Sequence, residues 1–320
     1  MNTSNVSSPK RAPVDMSLYV DIIIGLGIFA AAENLGILLI ICSSKRLLAQ
    51  SSLLVGLTIG HALNGLMHAV TLCPKSDVPM LVTRLYCVAT WLNLYIALYQ
   101  LLPIVLALIA VERLLAVAAP IWYCSKCTNK RQWMVTAGAF GLVGLLMAVN
   151  VLIAWLSPGS VESCRPTAVF GRNYMVYAVR VPAITGGVCA TLCTVAAMRI
   201  GRRRVRRLPA SSNQEIARVN RQLRMTKCVL TVSSMDLCCV SIPNFVLLLH
   251  NAGIVTLSEH YIYSSVLVYC FGSALNLVAY LLFNSEFRST LVRLLIVRCK
   301  NGAVLPAPAT TPQWPLVLIR

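Results

Sequence analysis

Seven long apolar stretches, separated by short polar segments, dominate the pattern of hydrophobic and polar positions along the chain. Each has the roughly 20 residues that a helix needs to cross about 30 Å of hydrocarbon. A helix suits this environment because its backbone N–H and C=O groups find their partners within the segment. The pattern therefore predicts an all-α membrane protein with a seven-transmembrane helix bundle, whose spans one to seven are residues 18–42, 51–72, 86–111, 133–156, 174–198, 226–249 and 261–283.

The segments around the predicted bundle, residues 18–283, complete the organisation. Residues 1–17 are a polar extracellular N-terminal segment, so we do not interpret the first span as a cleaved signal peptide. Over residues 284–298, apolar side chains recur at helical spacing against arginines, which predicts a short amphipathic eighth helix in the membrane interface. Residues 299–320 are Pro-rich and are predicted to be a disordered cytoplasmic tail.

Composition and charge support this assignment. The chain is 58% hydrophobic and 12% charged, which is too apolar for a soluble domain. Its formal charge is +18, and with the N-terminus outside, 21 of the 28 Lys and Arg lie in cytoplasmic segments or at the adjoining end of span six, as the positive-inside rule requires. The sequons at Asn2 and Asn5 then lie outside, where they predict glycosylation. We expect a multi-pass plasma-membrane protein that contacts the lipid bilayer and binds no nucleic acid.

Two cytoplasmic features each allow two interpretations. The third loop, predicted from Gly201 to about Arg224, contains a basic run that either holds topology and touches anionic lipid or docks an acidic partner. Cys299, just beyond the eighth helix, is either a palmitoylation site or an idle thiol. The basic run is Arg202-Arg203-Arg204-Val205-Arg206-Arg207.

Three of the 13 cysteines lie on the oxidising, outer side. A disulfide from Cys164 to Cys87 would tie the loop after span four to the top of span three, and Cys73 is a competing partner. Cys124 and Cys127 have a zinc-like spacing, but no second ligand pair follows nearby, so we predict no metal site. We also expect no cofactor, and no catalytic constellation indicates an enzyme.

Four local sequence features lie at defined positions in or just after the predicted spans. They are Glu112-Arg113-Leu114 with Pro120 and Tyr123 after span three, Asn276-Leu277-Val278-Ala279-Tyr280 in span seven, Asn34 in span one and Pro243 in span six. Together with the seven spans they resemble the rhodopsin-like family of G-protein-coupled receptors over approximately residues 18–295. The chain is also similar to nematode serpentine chemoreceptors, particularly those of class SX.

The resemblance implies a receptor that binds an extracellular small molecule or peptide and activates a heterotrimeric G protein through its cytoplasmic loops. A charged Arg113 at the end of a span needs a partner, and Glu112 beside it holds it in the resting state. Activation frees the arginine when the cytoplasmic end of span six moves outward. Asn276 and Tyr280 are the further switch residues that the resemblance implies.

The chain departs from the family pattern inside the bundle. His61 replaces the usual aspartate of span two, Ser241 the tryptophan of span six, and Leu277 the proline of span seven. We expect a neutral His61 that hydrogen-bonds to Asn34 and Asn276, and a pH switch at His61 is the alternative.

Asp236 in span six is an acid within the membrane. Such an acid is functional or paired, with His61 or Asn276 as the expected partner, unless it is protonated and neutral. Glu33, next to Asn34 in span one, raises the same question. We therefore predict an intramembrane polar network of Asn34, His61 and Asp236.

The resemblance places the ligand between the outer halves of spans three, five, six and seven. Tyr95 stands where amine receptors have an aspartate, so we do not expect a monoamine. Arg180 in span five suggests a ligand with an acid or a strong acceptor, unless its side chain reaches a lipid headgroup. The predicted pocket residues are Tyr95, Tyr99, Arg180, Asn244, Phe245 and Tyr269.

Other classes of function compete with this interpretation. A retinal protein needs a lysine in span seven, and residues 261–283 contain none. A membrane transporter is an alternative interpretation, because Glu33, His61 and Asp236 are polar groups within the spans. The departures at His61 and Ser241 also leave open a receptor that binds its ligand without coupling to a G protein.

Overall fold

The computed structural model describes residues 17–50, 52–72, 82–161, 164, 166–207 and 213–302. Within these ranges, seven helices are long and apolar enough to cross a membrane, which confirms the predicted seven-span bundle. Spans one to seven are Ser17–Cys42, Ser52–Val70, Arg84–Ala118, Asn129–Leu156, Arg172–Arg206, Gln222–Asn251 and Tyr263–Phe283.

Only spans one, two and four are single helical elements. The α-helices are Ser17–Cys42, Lys45–Gln50, Ser52–Leu72, Arg84–Cys87, Asn93–Ala118, Pro120–Lys126, Asn129–Leu156, Pro166–Phe170, Arg172–Tyr174, Val181–Arg207, Asn213–Asp236, Ile242–Asn251, Glu259–Ala274, Asn276–Phe283 and Ser285–Gly302. The π-helical segments are Val88–Leu92, Met175–Arg180 and Leu237–Ser241. Two short strands, Val82–Thr83 and Ser160–Val161, pair antiparallel.

Two of the π-helical segments lie just before a proline. Leu237–Ser241 precedes Pro243 in span six, and Met175–Arg180 precedes Pro182 in span five. Proline has no amide hydrogen, and its ring collides with the carbonyl four residues earlier. The helix therefore widens locally to a π-helical turn ahead of each proline.

The structure corrects the prediction of a long third loop. The helix Val181–Arg207 carries the basic run beyond the end of span five, and the helix Asn213–Asp236 extends beyond the start of span six. Arginine and glutamine are good helix formers, so polar sequence here lengthens the helices. Met198 on one helix packs against Val219 and Leu223 on the other.

Spans one and two approach each other through glycine. A Cβ atom at Gly27 would lie 2.6 Å from the Gly65 carbonyl oxygen, and a Cβ atom at Gly65 would lie 2.6 Å from the Gly27 carbonyl oxygen. Small residues allow this contact between backbones, which is a main source of helix association in a membrane.

The largest buried apolar cluster has span three at its centre. Val105 and Ile109 of this span are almost completely buried, and the cluster draws residues from all seven spans. A central span three fixes the position of the residues at its two ends.

The beginning of span three is tied by a disulfide. Cys87 is bonded to Cys164, with Cα atoms 5.2 Å apart, which confirms the predicted pair. The competing partner Cys73 lies outside the described residues. We call this end of the bundle the disulfide end and the opposite one the Arg113 end.

The eighth helix, Ser285–Gly302, leaves the bundle at the Arg113 end. Phe287 is completely buried, and its ring lies 5.3 Å from that of Tyr280. Farther along, Val292, Leu295 and Ile296 are exposed. An uncovered apolar face on a basic helix is typical of a helix that lies in the membrane interface.

Candidate functional site

Glu112 and Arg113 form an ion pair at the end of span three. The Arg113 Nη2 atom lies 2.5 Å from Glu112 Oε1, and the two side chains are only 8% and 12% exposed. A charged side chain in this position requires a partner, and the neighbouring carboxylate supplies it. The structure thus brings these two predicted switch residues together.

Glu112 is itself held by two further side chains. The hydroxyl of Tyr123 and the Nε2 atom of Gln132, at 2.7 Å, both donate to Glu112 Oε1. The Oε1 atom of Gln132 accepts from the hydroxyl of Ser52 at 3.3 Å. Burial raises the pKa of the Tyr123 hydroxyl, so this group stays protonated and remains a donor. Glu112 is thereby connected to span two, to span four and to the segment between spans three and four.

Gln222 links Arg113 to span six. The Nη1 atom of Arg113 donates to Gln222 Oε1 at 3.2 Å. No feature of the sequence pointed to Gln222, because a neutral amide on a polar helix has no distinctive pattern. This hydrogen bond connects the end of span three directly to span six.

Tyr280 contacts span two and the eighth helix. Its hydroxyl lies 3.4 Å from the Thr58 hydroxyl, and its ring packs near Phe287. The next residue back, Ala279, accepts a hydrogen bond from the thiol of Cys228 in span six at 3.6 Å. The predicted switch residue Tyr280 is therefore buried in a junction of four helices.

A polar group of residues surrounds the middle of span seven. Asn276 Nδ2 donates to Asn34 Oδ1 at 3.3 Å, and Asn34 Nδ2 donates to the Ser273 carbonyl at 3.2 Å. His61 Nδ1 lies 3.1 Å from the Ser273 hydroxyl. His61 thus joins Asn34 and Asn276 through Ser273, a residue that sequence reasoning missed, and not directly as predicted.

Asp236 does not join this polar group, which corrects the predicted network. Its Oδ2 atom is buried without a hydrogen-bond partner among the described residues. It lies instead against span five, where a Cβ atom at Gly187 would be 3.0 Å from it. Near it, the Ser241 hydroxyl donates to the Ala183 carbonyl at 3.0 Å. The acid faces a glycine because spans five and six meet closely at this level.

The three predicted pocket tyrosines lie together. The ring of Tyr99 is 5.0 Å from that of Tyr95 and 4.9 Å from that of Tyr269. The rings of Tyr99 and Tyr269 are stacked. His68 of span two, which the sequence did not indicate, packs 5.3 Å from Tyr95 and 5.4 Å from Tyr269. These four rings form a continuous aromatic cluster among spans two, three and seven.

The other predicted pocket residues have different surroundings. Arg180 Nη1 donates to the Leu247 carbonyl of span six at 2.8 Å. Asn244 Nδ2 donates within span six, to the Val240 carbonyl at 2.9 Å. Phe245 is 48% exposed and is not part of the buried cluster that contains Tyr269. Among the described residues, these three side chains have no hydrogen bond or ring contact with the tyrosines.

Some predictions fall where the structure gives no description. Asn2 and Asn5 lie outside the described residues, as does the side chain of Cys299. Within the described ranges, no group of three or more His, Cys, Asp or Glu is arranged to hold a metal ion.

A seven-helix bundle with a paired arginine at one end and a disulfide-tied loop at the other has the architecture of a membrane receptor. A sequence model of the family described as 7 transmembrane receptor (rhodopsin family) matches residues 33–280. The chain belongs to this family, whose members are receptors and not enzymes. A search of curated proteins found no match. The similarity to nematode chemoreceptors of class SX stays a prediction.

Proposed function

We propose that this protein is a plasma-membrane receptor that activates a heterotrimeric G protein when an extracellular small molecule or peptide binds. In this proposal the N-terminus is outside the cell, and the Arg113 end of the bundle is cytoplasmic. The observation that supports it is the position of Arg113, which Glu112 holds within span three and Gln222 holds from span six.

The contacts that Arg113 makes with Glu112 and with Gln222 respond differently to an outward movement of span six. Glu112 is fixed by Tyr123 and Gln132, which do not belong to span six, so its contact with Arg113 survives. The hydrogen bond to Gln222 is lost. Such a bond to a charged group contributes about 1.5 to 3 kcal/mol. A ligand therefore needs only a modest difference in affinity between the two states to shift their populations.

The Arg113 end also offers a surface for an acidic partner. A cavity of about 450 Å³ lies between span six and the eighth helix, and Arg224, Asn284 and Arg293 are among its lining residues. The helical extension after span five exposes Arg202 and Arg206. Positive potential of this kind steers an acidic partner to the site. Contact of the basic extension with anionic lipid is the alternative.

We place the ligand beside the aromatic cluster of His68, Tyr95, Tyr99 and Tyr269, with Arg180 as a candidate contact for an acidic group. Arginine has five N–H donors, and the Leu247 carbonyl accepts from one nitrogen of Arg180. Replacement of Arg180 by alanine should weaken an acidic agonist. Unchanged agonist potency would discard this role for Arg180.

The test of coupling is nucleotide exchange on a panel of purified G proteins by the receptor in nanodiscs, without ligand. We compare the natural chain with Arg113→Ala and with Lys130→Ala, which removes an exposed positive charge near the same end. Exchange that is lost in Arg113→Ala and kept in Lys130→Ala supports the proposal. Equal exchange in all three proteins would contradict the role of Arg113.

A receptor that binds its ligand without coupling is the second candidate. The hydrogen bond from Ser241 to the Ala183 carbonyl favours it, because this contact ties span six to span five where the family has a tryptophan. Saturable ligand binding with no exchange on any G protein would support this candidate. Substrate flux in proteoliposomes would instead point to a transporter.

A further inference from the structure

Span seven is interrupted in the middle of the bundle. The helix Glu259–Ala274 ends there, and a new helix, Asn276–Phe283, begins after Leu275. In an unbroken α-helix the amide of Leu277 would donate to the carbonyl of Ser273, four residues earlier. The interruption separates these two groups. Inside a membrane each of them needs another partner, because no bulk water is available to provide one.

Two consecutive residues of span one provide those partners. The Leu277 amide donates to Glu33 Oε1 at 2.7 Å, and the Ser273 carbonyl accepts from Asn34 Nδ2 at 3.2 Å. One hydrogen bond within the helix is thus replaced by two bonds to neighbouring side chains. Both side chains sit on the same helix, so span one satisfies both sides of the interruption at once.

The residue at the interruption makes this arrangement necessary. A proline there would have no amide to satisfy and would prevent the helix from closing by steric collision. Leu277 has an amide and no such collision, so nothing in its own chemistry keeps the helix open. The hydrogen bond from the Leu277 amide is also the polar contact that accounts for Glu33, whose Oε2 atom is buried without a partner among the described residues.

We propose that Glu33 is a positioning residue that keeps span seven open at Leu277 in place of a helix-breaking proline. By accepting a hydrogen bond from the Leu277 amide, Glu33 holds the start of the helix Asn276–Phe283 against span one. It thereby sets the positions of Asn276 and Tyr280. The interruption then has two states. In one the Leu277 amide donates a hydrogen bond to Glu33, and in the other it donates to the Ser273 carbonyl in a continuous helix. The signalling consequence of this equilibrium rests on the proposed receptor function.

A double-mutant cycle tests the proposal. The variants are Glu33→Leu, which removes the acceptor, Leu277→Pro, which removes the donor, and the two combined, each purified as the full chain in nanodiscs. Thermal unfolding midpoints are measured for all four proteins. The cost or gain of removing the carboxyl group itself cancels between the two backgrounds, so the cycle isolates the contact between the two residues.

We expect the change in unfolding midpoint caused by Glu33→Leu to be roughly 4 °C more negative in the natural background than in the Leu277→Pro background. Equal effects in the two backgrounds would show that Glu33 acts only by packing and would overturn the proposal. A second comparison covers a proline variant that fails to fold. Glu33→Gln keeps a side-chain acceptor and should retain the natural midpoint, whereas Glu33→Met has similar length without an acceptor and should not.

Basal nucleotide exchange, measured on the same proteins, tests the signalling consequence separately. If the receptor couples, exchange should differ at least about two-fold between Glu33→Gln and Glu33→Met, which corresponds to a small shift between two states. Equal exchange by these two variants would overturn the signalling consequence. If no variant exchanges nucleotide, the proposed function fails, and the unfolding midpoints still decide the role of Glu33.

Discussion

Arg113 in span three donates a hydrogen bond to Gln222 in span six across 3.2 Å. The same guanidinium is paired with Glu112, and that carboxylate is fixed by Tyr123 and Gln132. Arg113 therefore has contacts with Glu112 and Tyr123 that do not involve span six. Its contact with Gln222 depends on span six. This difference makes the Gln222 contact the part of the site that a movement of span six changes.

The strength of the Gln222 contact should set the basal activity of the receptor. Gln222→Glu places a carboxylate beside Arg113, and a charged pair in a partly buried site is stronger than a bond to an amide. We expect a lower basal nucleotide exchange, by roughly five-fold for a gain of about 1 kcal/mol. Lys227→Ala, an exposed change on the same helix, is the control and should leave exchange unchanged.

The Tyr123 hydroxyl should stabilise the fold through Glu112. Tyr123→Phe removes a donor to a partly buried carboxylate, and we expect a loss of about 1 to 2 kcal/mol in the free energy of unfolding. The pKa of Tyr123 is raised by burial. Its contribution is therefore complete below the unfolded pKa of about 10 and is lost as the pH rises further.

Unfolding midpoints of the natural chain and Tyr123→Phe across a pH series measure this contribution. The difference between the two proteins should be constant between about pH 6 and 9 and should shrink above about pH 10. A difference that already falls away between pH 6 and 9 would show that the hydroxyl is not the donor to Glu112.

Asp236 should lower stability in the natural chain. Its Oδ2 atom is buried without a hydrogen-bond partner among the described residues, and burial of such a group has a free-energy cost. Asp236→Asn keeps the shape and removes the acidic group, so we expect a higher unfolding midpoint. Asp21→Asn, at an exposed position in span one, should have little effect. A lower midpoint for Asp236→Asn would indicate a partner that the acid needs.

The contact of spans one and two should tolerate no side chain at Gly65. A Cβ atom there would lie 2.6 Å from the Gly27 carbonyl oxygen and 2.9 Å from the Ala31 amide nitrogen. Because both are backbone atoms, we expect Gly65→Ala to destabilise the bundle by about 1 to 3 kcal/mol. Gly36→Ala is the matched control, since nothing lies within 4 Å of its Cβ position. Equal unfolding midpoints for the two variants would contradict the packing described for Gly65.

The sequence predicted those features that apolar length or a strong local motif determines. The seven spans follow from the hydrocarbon thickness, and the pair of Glu112 and Arg113 follows from the need to neutralise a charge at a span end. The sequence left Cys73 as a competing partner for the disulfide, and the structure contains the bond between Cys87 and Cys164.

Features that depend on tertiary contact were missed. Gln222 and Ser273 are neutral polar residues whose importance lies in the partner they meet, and no spacing reveals that partner. Asp236 was assigned to the wrong neighbours, because the sequence gives its depth in span six and not the direction in which it faces. The basic run after span five was predicted as a loop, although its residues favour a helix once apolar neighbours pack.

The central claim is that Gln222 restrains Arg113 and that Arg113 makes the contact with the G protein. Basal nucleotide exchange by Gln222→Ala, Arg113→Ala and the combined variant tests it directly. We expect Gln222→Ala to exceed the natural chain by roughly ten-fold or more, for a loss of about 1.5 to 3 kcal/mol. The two variants that lack Arg113 should show no exchange above background. Raised exchange that persists in the combined variant would contradict the claim.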